Sequence, residues 1–456
     1  MKFKTAISWI GCLYRILEKF NLEDNFEIDS FIDERYPELF SKLQSGYAEK
    51  KVAFCMSNGK KTSVNMFNHI LETAEKTVIS NVFKSAKRYP IITSIILNLS
   101  KNFNSFSDEK KDFYSMGLSE LELEGYFNSM KFDYLLLGNL LINQNEFLSL
   151  EEKRKKIQNA IMLNSKLNLI INADEPMFFE IDKIKDDTTF NKKRKKIFYG
   201  FNQIDFMNKG LFLSQKNDLM RCPKCGCKLD FNQRYYSHLG DFECACGFMR
   251  PKLDISANAK IFDDYIFLNV FYNDNKLPFK IPLGGLANAY NALGAIVLAL
   301  LSDIDRKTIA RAFETYRPLK SIDEVFEKDN KRIKIKTVKN PTSLSEALRE
   351  LYGNKNSKIV FCLSDEALDG VDTSWIWDAN FGALKGFENK IFVCGNRFDD
   401  MALRLKYANV NPNLIVMDSN VKNALNCCFW ELDDDEQMIV FSTPSLIKEV
   451  EEVLNK

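Results

Sequence analysis

The stretch Ser57-Asn58-Gly59-Lys60-Lys61-Thr62-Ser63 follows the apolar run Lys51-Val52-Ala53-Phe54-Cys55-Met56 and precedes a segment, Val64 to Glu75, that reads as a helix. The apolar run reads as a buried strand. Strand, Gly-Lys turn and helix form the setting of a phosphate loop: backbone N–H groups at the helix start and the lysine ammonium can hold a polyphosphate. Asn58, Gly59, Lys60, Lys61 and Thr62 are the candidate contacts. The usual pattern places Ser or Thr directly after the lysine, where its hydroxyl binds Mg²⁺. Here Lys61 stands at that position and a hydroxyl arrives one residue later, at Thr62.

A chain of 456 residues is too long for one simple core, so two or three domains are expected. Composition is that of a soluble globular protein, with 45% hydrophobic and 27% charged residues. Lys and Arg (63) balance Asp and Glu (62), which argues against nucleic acid as a partner. The only histidines are His69 and His238, so neither a multi-histidine metal site nor a histidine-based triad within the chain is expected. Of eleven cysteines, five fall between Cys222 and Cys246, while Cys55, Cys362 and Cys394 lie in apolar runs. That usage fits a reducing, cytoplasmic compartment and one metal cluster. Residues Met1 to Phe20 read as an amphipathic helix, packed on the protein or lying at a membrane surface, because Tyr14-Arg15 interrupts the apolar run. No segment approaches about 18 uninterrupted apolar residues, so no transmembrane span is expected.

The chain divides into an N-terminal helical segment (1–48), a central domain (49–316) with an insertion at 220–250, and a C-terminal domain (317–456). Strands are expected at 77–81, 132–137 and 167–171, and residues 90–100 read as a buried helix or strand. Leu118-Ser119-Glu120-Leu121-Glu122-Leu123-Glu124 alternates, which predicts a strand end with carboxylates on one side. In a nucleotide enzyme one such carboxylate would bind Mg²⁺ or its water; the alternative is an exposed strand face. Leu150 to Leu163 reads as a helix whose basic side, Lys153 to Lys156, is solvated. Asn172-Ala173-Asp174-Glu175-Pro176 follows a strand, where open α/β sheets place ligand contacts.

Cys222-Pro223-Lys224-Cys225-Gly226 has the form of a zinc knuckle, and Cys244-Ala245-Cys246-Gly247 supplies a second pair. Cys222, Cys225, Cys244 and Cys246 therefore predict a four-thiolate zinc ribbon. With no open coordination position, its role is structural. Cys227 is a spare, and whether it replaces one of the four stays open.

Residues 259–272 and 276–281 read as strands, and a Gly284-Gly285 turn opens a helix through Leu301. Asn288 and Asn291 share a face of its first turn. They either cap the helix or hydrogen-bond a base or ribose. A helix at 306–316 and a linker at 317–330 follow. From Arg332 strands and helices alternate, which predicts a second parallel sheet. Between its strands, residues 369–378 hold two of the four tryptophans and three aspartates on a loop that is an interface or a site.

The Asn-Gly-Lys loop, the Asn172–Pro176 strand end, the ribbon, Asn288-Ala289-Tyr290-Asn291, Val338-Lys339-Asn340-Pro341, the Asp369–Asp378 loop and the helix Asp400–Tyr407 occur in that order. Together they resemble the Mur-ligase-type synthetase subunits of lipid II isoglutaminyl synthase, from about residue 50 to about residue 450. The resemblance implies an α/β fold: a Mur-ligase-like central parallel sheet domain with a P-loop and inserted zinc ribbon, plus a C-terminal Rossmann-like α/β domain. It implies that ATP phosphorylates the α-carboxylate of D-glutamate in the lipid II stem peptide, and that ammonia from a GatD-type glutaminase partner displaces phosphate to leave D-isoglutamine. The cofactors implied are ATP, Mg²⁺ and structural Zn²⁺, in a heterodimer at the inner face of the membrane. On this reading Lys60 and the loop backbone cradle phosphates and Thr62 binds Mg²⁺, with Glu122 or Glu124 behind it. Asn288 and Asn291 hold the adenosine, and Lys339 and Asn340 meet the acyl phosphate when the domains close. Asp372, or failing it Asp378, orients the partner's catalytic histidine.

Met56 stands where the family has a glycine, Lys61 where it has threonine, and Ile142-Asn143-Gln144-Asn145-Glu146 where it has Arg-Asp-Gln-Leu-Asp. These departures cluster at the nucleotide and metal site. The competing readings are a non-catalytic scaffold that completes a glutaminase, and a Mur-type ligase acting on another acid and amine.

Overall fold

The computed structural model describes residues 8–12, 14–15, 48–82, 100–102, 105–106, 110–142, 148–182, 194–206, 220–262, 264–318, 324–349, 351, 356–366, 369–433 and 436–454. Most of the expected N-terminal helical segment, the element at 90–100 and Asn143 to Glu146 lie outside these residues. Residues 8–12 and 14–15 are helical, and Tyr14 is buried in the main sheet's core.

The central strands in chain order are β1 (Ala48–Cys55), β2 (Val78–Ser80), β3 (Lys111–Leu118), β4 (Tyr134–Leu137), β5 (Asn168–Asn172) and β6 (Lys196–Phe206). The hairpin β7 (Asp230–Tyr236) and β8 (Leu239–Glu243) is inserted next, before β9 (Ile255–Ile261), β10 (Ile266–Tyr272) and β11 (Asn275–Ile281). Nine strands form one sheet in the order β11-β10-β9-β6-β5-β4-β1-β3-β2. All neighbours are parallel except the β9-β10-β11 meander. Strand β1 lies between β4 and β3, so the chain leaves it at the point where strand order reverses, where such sheets open a crevice.

Side-chain alternation along β1 ties this crevice to two cores. Val52, Phe54 and Met56 face helices α1 (Lys60–Thr73), α4 (Leu286–Leu301) and α5 (Arg306–Thr315). Ala53 and Cys55 face α2 (Leu123–Ser129) and α3 (Leu150–Met162). A strand buried on both faces reads as a continuous apolar run, which is why β1 is legible in the sequence. Helix α4 is apolar nearly all round, as a fully buried helix must be.

The C-terminal part holds β12 (Glu324–Lys328), β13 (Lys331–Thr337), α6 (Pro341–Arg349), β14 (Ser357–Cys362), β15 (Ile391–Cys394), α7 (Phe398–Tyr407), β16 (Ile415–Met417), α8 (Val421–Trp430), β17 (Gln437–Ser442) and α9 (Ile447–Leu454). Its sheet order is β12-β13-β17-β14-β15-β16, parallel apart from the β12–β13 hairpin.

Four expectations change. Residues 118–124 are not a strand end: β3 stops at Leu118, Ser119 to Glu122 turn, and Glu122 is the N-cap position of α2. Residues 259–272 are two antiparallel strands, β9 and β10, split by a turn. The linker at 317–330 contains β12, whose edge position tolerates its charged sequence. Lys153 is not solvated: it is fully buried on α3, and its ammonium donates to the Leu141 carbonyl at 2.8 Å.

One buried ion pair ties the sheet to the insertion. Arg250, just after the ribbon, lies 2.7 Å from Asp174 at the end of β5. The other carboxylate oxygen of Asp174 accepts the Phe201 N–H (3.0 Å) and the Tyr290 hydroxyl (2.8 Å). Burial pushes the Asp174 carboxyl up to about 6, against the opposing pull of Arg250. Removing one partner leaves a buried charge uncompensated. Arg250→Ala is expected to lower unfolding free energy by about 3–5 kcal/mol in denaturant titration; a change no larger than that of an exposed arginine would show the pair to be solvated.

Candidate functional site

Gly59 adopts φ +83° directly before the first turn of α1, and a side chain there would meet Asn291 Oδ1 at 1.9 Å. Only glycine satisfies both the left-handed backbone and the close approach. The first turn of α1, with its N–H groups at the positive end of the helix, therefore begins at Lys60. The Lys60 side chain runs over Gly117 of β3, where an added Cβ would lie 3.0 Å from its Cγ.

The loop is clamped from three sides. From the β4 side, Asn139 accepts the Asn58 N–H (2.9 Å), donates to the Asn58 carbonyl (2.9 Å), and its own carbonyl accepts the Ser57 N–H (3.0 Å). From the β3 side, the Ser57 hydroxyl donates to Glu120 (2.6 Å) and accepts the Leu141 N–H (2.9 Å). From α4, Asn291 Oδ1 accepts the Ser63 hydroxyl (3.2 Å).

The C-terminal domain closes the remaining side. Lys339 Nζ donates to the Ser57 carbonyl (3.2 Å), and the Asn340 amide pairs with the Asn58 amide at 3.2 and 3.5 Å. Asn340 is completely buried and caps α6 through the Ser343 N–H (2.8 Å). Asn58, Gly59, Lys60, Lys339, Asn340 and Asn291 thus come together.

Other expected residues are placed differently. The carboxylate on the loop is Glu120, which is 2% exposed; Glu122 instead accepts the N–H and hydroxyl of Ser119, both at 2.6 Å, and Glu124 lies on the first turn of α2. The alternating Leu and Glu conceal this, because in a turn the period of two carries no face information. Thr62 is buried, about 100° around the helix from Lys61. Asn288 donates to the Gly284 carbonyl (2.8 Å) and accepts from Asn291 (3.3 Å), so in this structure the pair braces the turn and the loop. Met56 packs over Gly138, where a Cβ would meet its methyl at 2.9 Å.

A second polar group escaped the sequence reading. His238, in the turn of the β7–β8 hairpin, lies 2.8 and 2.9 Å from the Glu175 carboxylate oxygens. Glu175 also accepts the Leu140 N–H (2.9 Å), one residue from Asn139. A lone histidine in an insertion carries no local signal of such a partner.

The cysteine cluster has the geometry of a metal centre. The sulfurs of Cys222, Cys225, Cys244 and Cys246 lie within 4.8 Å of one another, with Cys222–Cys246 at 3.7 Å and Cys225–Cys244 at 3.6 Å. The sulfur–sulfur edge of a tetrahedral zinc–thiolate site is about 3.8 Å, given Zn–S near 2.3 Å. Gly226 (φ +76°) and Gly247 (φ +81°) turn each knuckle back on its first cysteine. The Phe248 N–H holds the Cys246 thiol down, to about 7. Cys227 lies outside the cluster; its carbonyl accepts the Cys222 N–H at 2.7 Å.

Asp372 and Asp378 sit on the loop between β14 and β15, both exposed. Trp375 and Ile376 anchor this loop in the core, while Arg404 of α7 donates to the Ile376 (3.1 Å) and Ala379 (3.0 Å) carbonyls. Asp372 accepts the Ser374 N–H (2.8 Å) and hydroxyl (2.9 Å), which hold its carboxyl below the usual range. Val371, Trp377, Leu403 and Tyr407 are exposed, and Trp377 packs edge-on against Tyr407.

Residues 337–446 match the family model described as MurT ligase C-terminal. The chain is 29% identical over 365 residues to the lipid II isoglutaminyl synthase (glutamine-hydrolyzing) subunit MurT of Staphylococcus aureus strain COL, covering 79% of this chain and 78% of that one. It is 24% identical over 409 residues to the subunit of the same name from Streptococcus pneumoniae R6, covering 87% and 85%. Among solved structures, a pseudomurein peptide ligase type C from Methanothermus fervidus superposes with a TM-score of 0.68 at 16% identity, covering 96% of this chain and 84% of that one. The fold is Mur-ligase-like. No helix among the described residues is long and apolar enough to cross a membrane.

Gly59→Ala is expected to destabilise the protein by about 1–3 kcal/mol in chemical denaturation. Asn291→Ala in the same chain should recover part of that loss, because it removes the clashing amide. Strict additivity of the two substitutions would mean that the close approach does not constrain the loop.

Proposed function

We propose, on the premise that this chain is a relative of the MurT subunits, that it is the ATP-dependent synthetase subunit of a glutamine-dependent amidating enzyme. Its substrate is the D-glutamate α-carboxylate of the lipid II stem peptide. The carboxylate attacks the γ-phosphorus of ATP, giving an acyl phosphate and ADP. Ammonia then attacks the acyl carbon, phosphate leaves, and a proton is lost to give D-isoglutamine. The ammonia comes from a GatD-type glutaminase in a heterodimer. Nucleic acid has no place in this reading, and the work is done in the cytoplasm at the inner face of the membrane.

The observation that carries this reading is the meeting of Lys339 and Asn340 with the Ser57–Asn58 loop. A positive charge and an amide from the C-terminal domain reach the loop that leads into the α1 N-terminus, which supports reading this loop as the phosphoryl-transfer site. On this reading Glu120, which accepts the Ser57 hydroxyl, would be the carboxylate that serves Mg²⁺ at the loop, and Thr62 the hydroxyl that follows the two lysines. Mg²⁺ supplies charge neutralisation on the phosphate oxygens when bound. Asn288 and Asn291 are the side chains offered to the adenosine. The four cysteines hold Zn²⁺ as a structural centre. Division into segments 1–48, 49–316 and 317–456 accompanies this reading, with closure between the last two.

Lys61 at the position of the metal-binding hydroxyl favours a second reading, a scaffold that completes a glutaminase without using ATP. The decisive measurement is amidation of lipid II by the chain co-purified with a GatD-type glutaminase. Activity dependent on ATP, Mg²⁺ and glutamine is expected. Glutaminase activity in the complex with no Mg²⁺-dependent nucleotide binding would leave the scaffold.

The exposed Val371–Trp377–Tyr407 surface is proposed as the glutaminase contact, with Asp372 as the carboxylate that orients the partner's histidine. Asp372→Asn should lower glutamine hydrolysis by up to about 10⁴-fold while the complex still assembles. Unchanged hydrolysis transfers the role to Asp378. Elemental analysis should find about one zinc per chain, lost on chelation together with thermal stability.

A further inference from the structure

The β7–β8 hairpin grows out of the cysteine cluster. Strand β8 ends at Glu243, next to Cys244, and β7 begins at Asp230, shortly after Cys227. Its seven-residue strand reaches about 20 Å from that base, at roughly 3.3 Å per residue. At its far end the turn Tyr236-Ser237-His238-Leu239 is not displayed to solvent: Tyr236 is 3% exposed and Leu239 fully buried. An insertion serving as a free docking module would present its tip.

The tip instead packs against residues that flank the candidate site. The Tyr236 ring packs against Tyr290 of α4, one residue before Asn291, with ring centroids 6.2 Å apart, and its hydroxyl lies beside the Asn58 side chain and near Glu346 and Arg349 of α6. His238 holds Glu175, which holds the Leu140 N–H beside the Asn139 clamp. The Ser237 hydroxyl lies 3.3 Å from the Thr342 hydroxyl, two residues beyond Asn340. Ser237 adopts φ +52°, a backbone cost kept where surrounding contacts fix it. Gly240 donates to the Asp174 carbonyl (2.9 Å), so the hairpin is also fastened to the end of β5.

We propose that the metal-loaded ribbon positions the phosphate loop against the C-terminal domain, with Tyr236 and His238 as positioning residues. The metal fixes the root of the hairpin and the tip sets Asn58, the strand-end carboxylate and the α6 start in register. Metal loading at a site with no reactive position thereby controls nucleotide affinity. This rests on the reading of residues 57–63 as a nucleotide loop.

The test uses the full chain, zinc-loaded, as wild type, Tyr236→Phe, His238→Ala, His238→Gln and the control Cys227→Ser. Two quantities are read: ADP affinity by calorimetry, and amide hydrogen-exchange protection of residues 57–63 and 338–345. Tyr236→Phe and His238→Ala should each weaken ADP binding about threefold to tenfold and lower protection in both segments. His238→Gln, which keeps a donor for Glu175, should recover most of the loss, and Cys227→Ser should change neither quantity. Chelation of wild type should reproduce the loss of protection. Unchanged protection in Tyr236→Phe and His238→Ala overturns the proposal. If wild type binds no ADP, the nucleotide reading fails, and the protection data alone decide whether the ribbon positions the loop.

Discussion

Asn58 is held by side chains from two separate parts of the chain. Asn139 takes its backbone N–H and carbonyl, and Asn340 pairs with its amide, with the Tyr236 hydroxyl of the ribbon lying beside it. Ser63, five residues on, is held by Asn291 of α4. Buried amides of this kind must have partners, because leaving one unpaired costs roughly 1–3 kcal/mol. The requirement works in both directions: the loop is rigid because its partners are, and the partners are brought together because the loop needs them. Among the described residues the C-terminal domain meets the central one through this network, through the Arg332–Asp264 ion pair (3.1 Å) and through Arg349 over the Phe206 ring.

The departures from the usual loop are absorbed locally. Met56 packs over Gly138, just beyond β4, where an added Cβ would meet its methyl at 2.9 Å. Lys61 is a different change, since it alters charge. A second ammonium at the helix start joins Lys60, Lys339 and the buried Lys153 on α3 around a loop that also carries Glu120.

The C-terminal domain presents a second rigid feature. Its 369–378 loop is anchored by Trp375 and Ile376 inside and by Arg404 along its backbone, so Asp372 and Trp377 project from a framework and not from a floppy segment. The same domain thus offers Lys339 and Asn340 at one place and an exposed aromatic and acidic surface at another.

The elements with a strong local signal were legible in the sequence: β1 and β14 as apolar runs, α4 as an apolar helix opened by Gly284-Gly285, the glycine-flanked cysteine pairs, and the Gly-Lys turn. Each depends on backbone preference or on ligand spacing, which neighbours in sequence determine. The sequence did not show which carboxylate meets the loop, because Glu120, Glu122 and Glu124 differ only in how the turn after Leu118 aims them. It did not show that Lys153 is buried, because a run of basic residues on a helix has no mark for the one that faces inward. The bond from His238 to Glu175 was equally hidden, since 63 residues separate the two. These were decided by tertiary structure for one physical reason: a buried polar group must find its partner wherever packing delivers one, and packing is set by the whole chain.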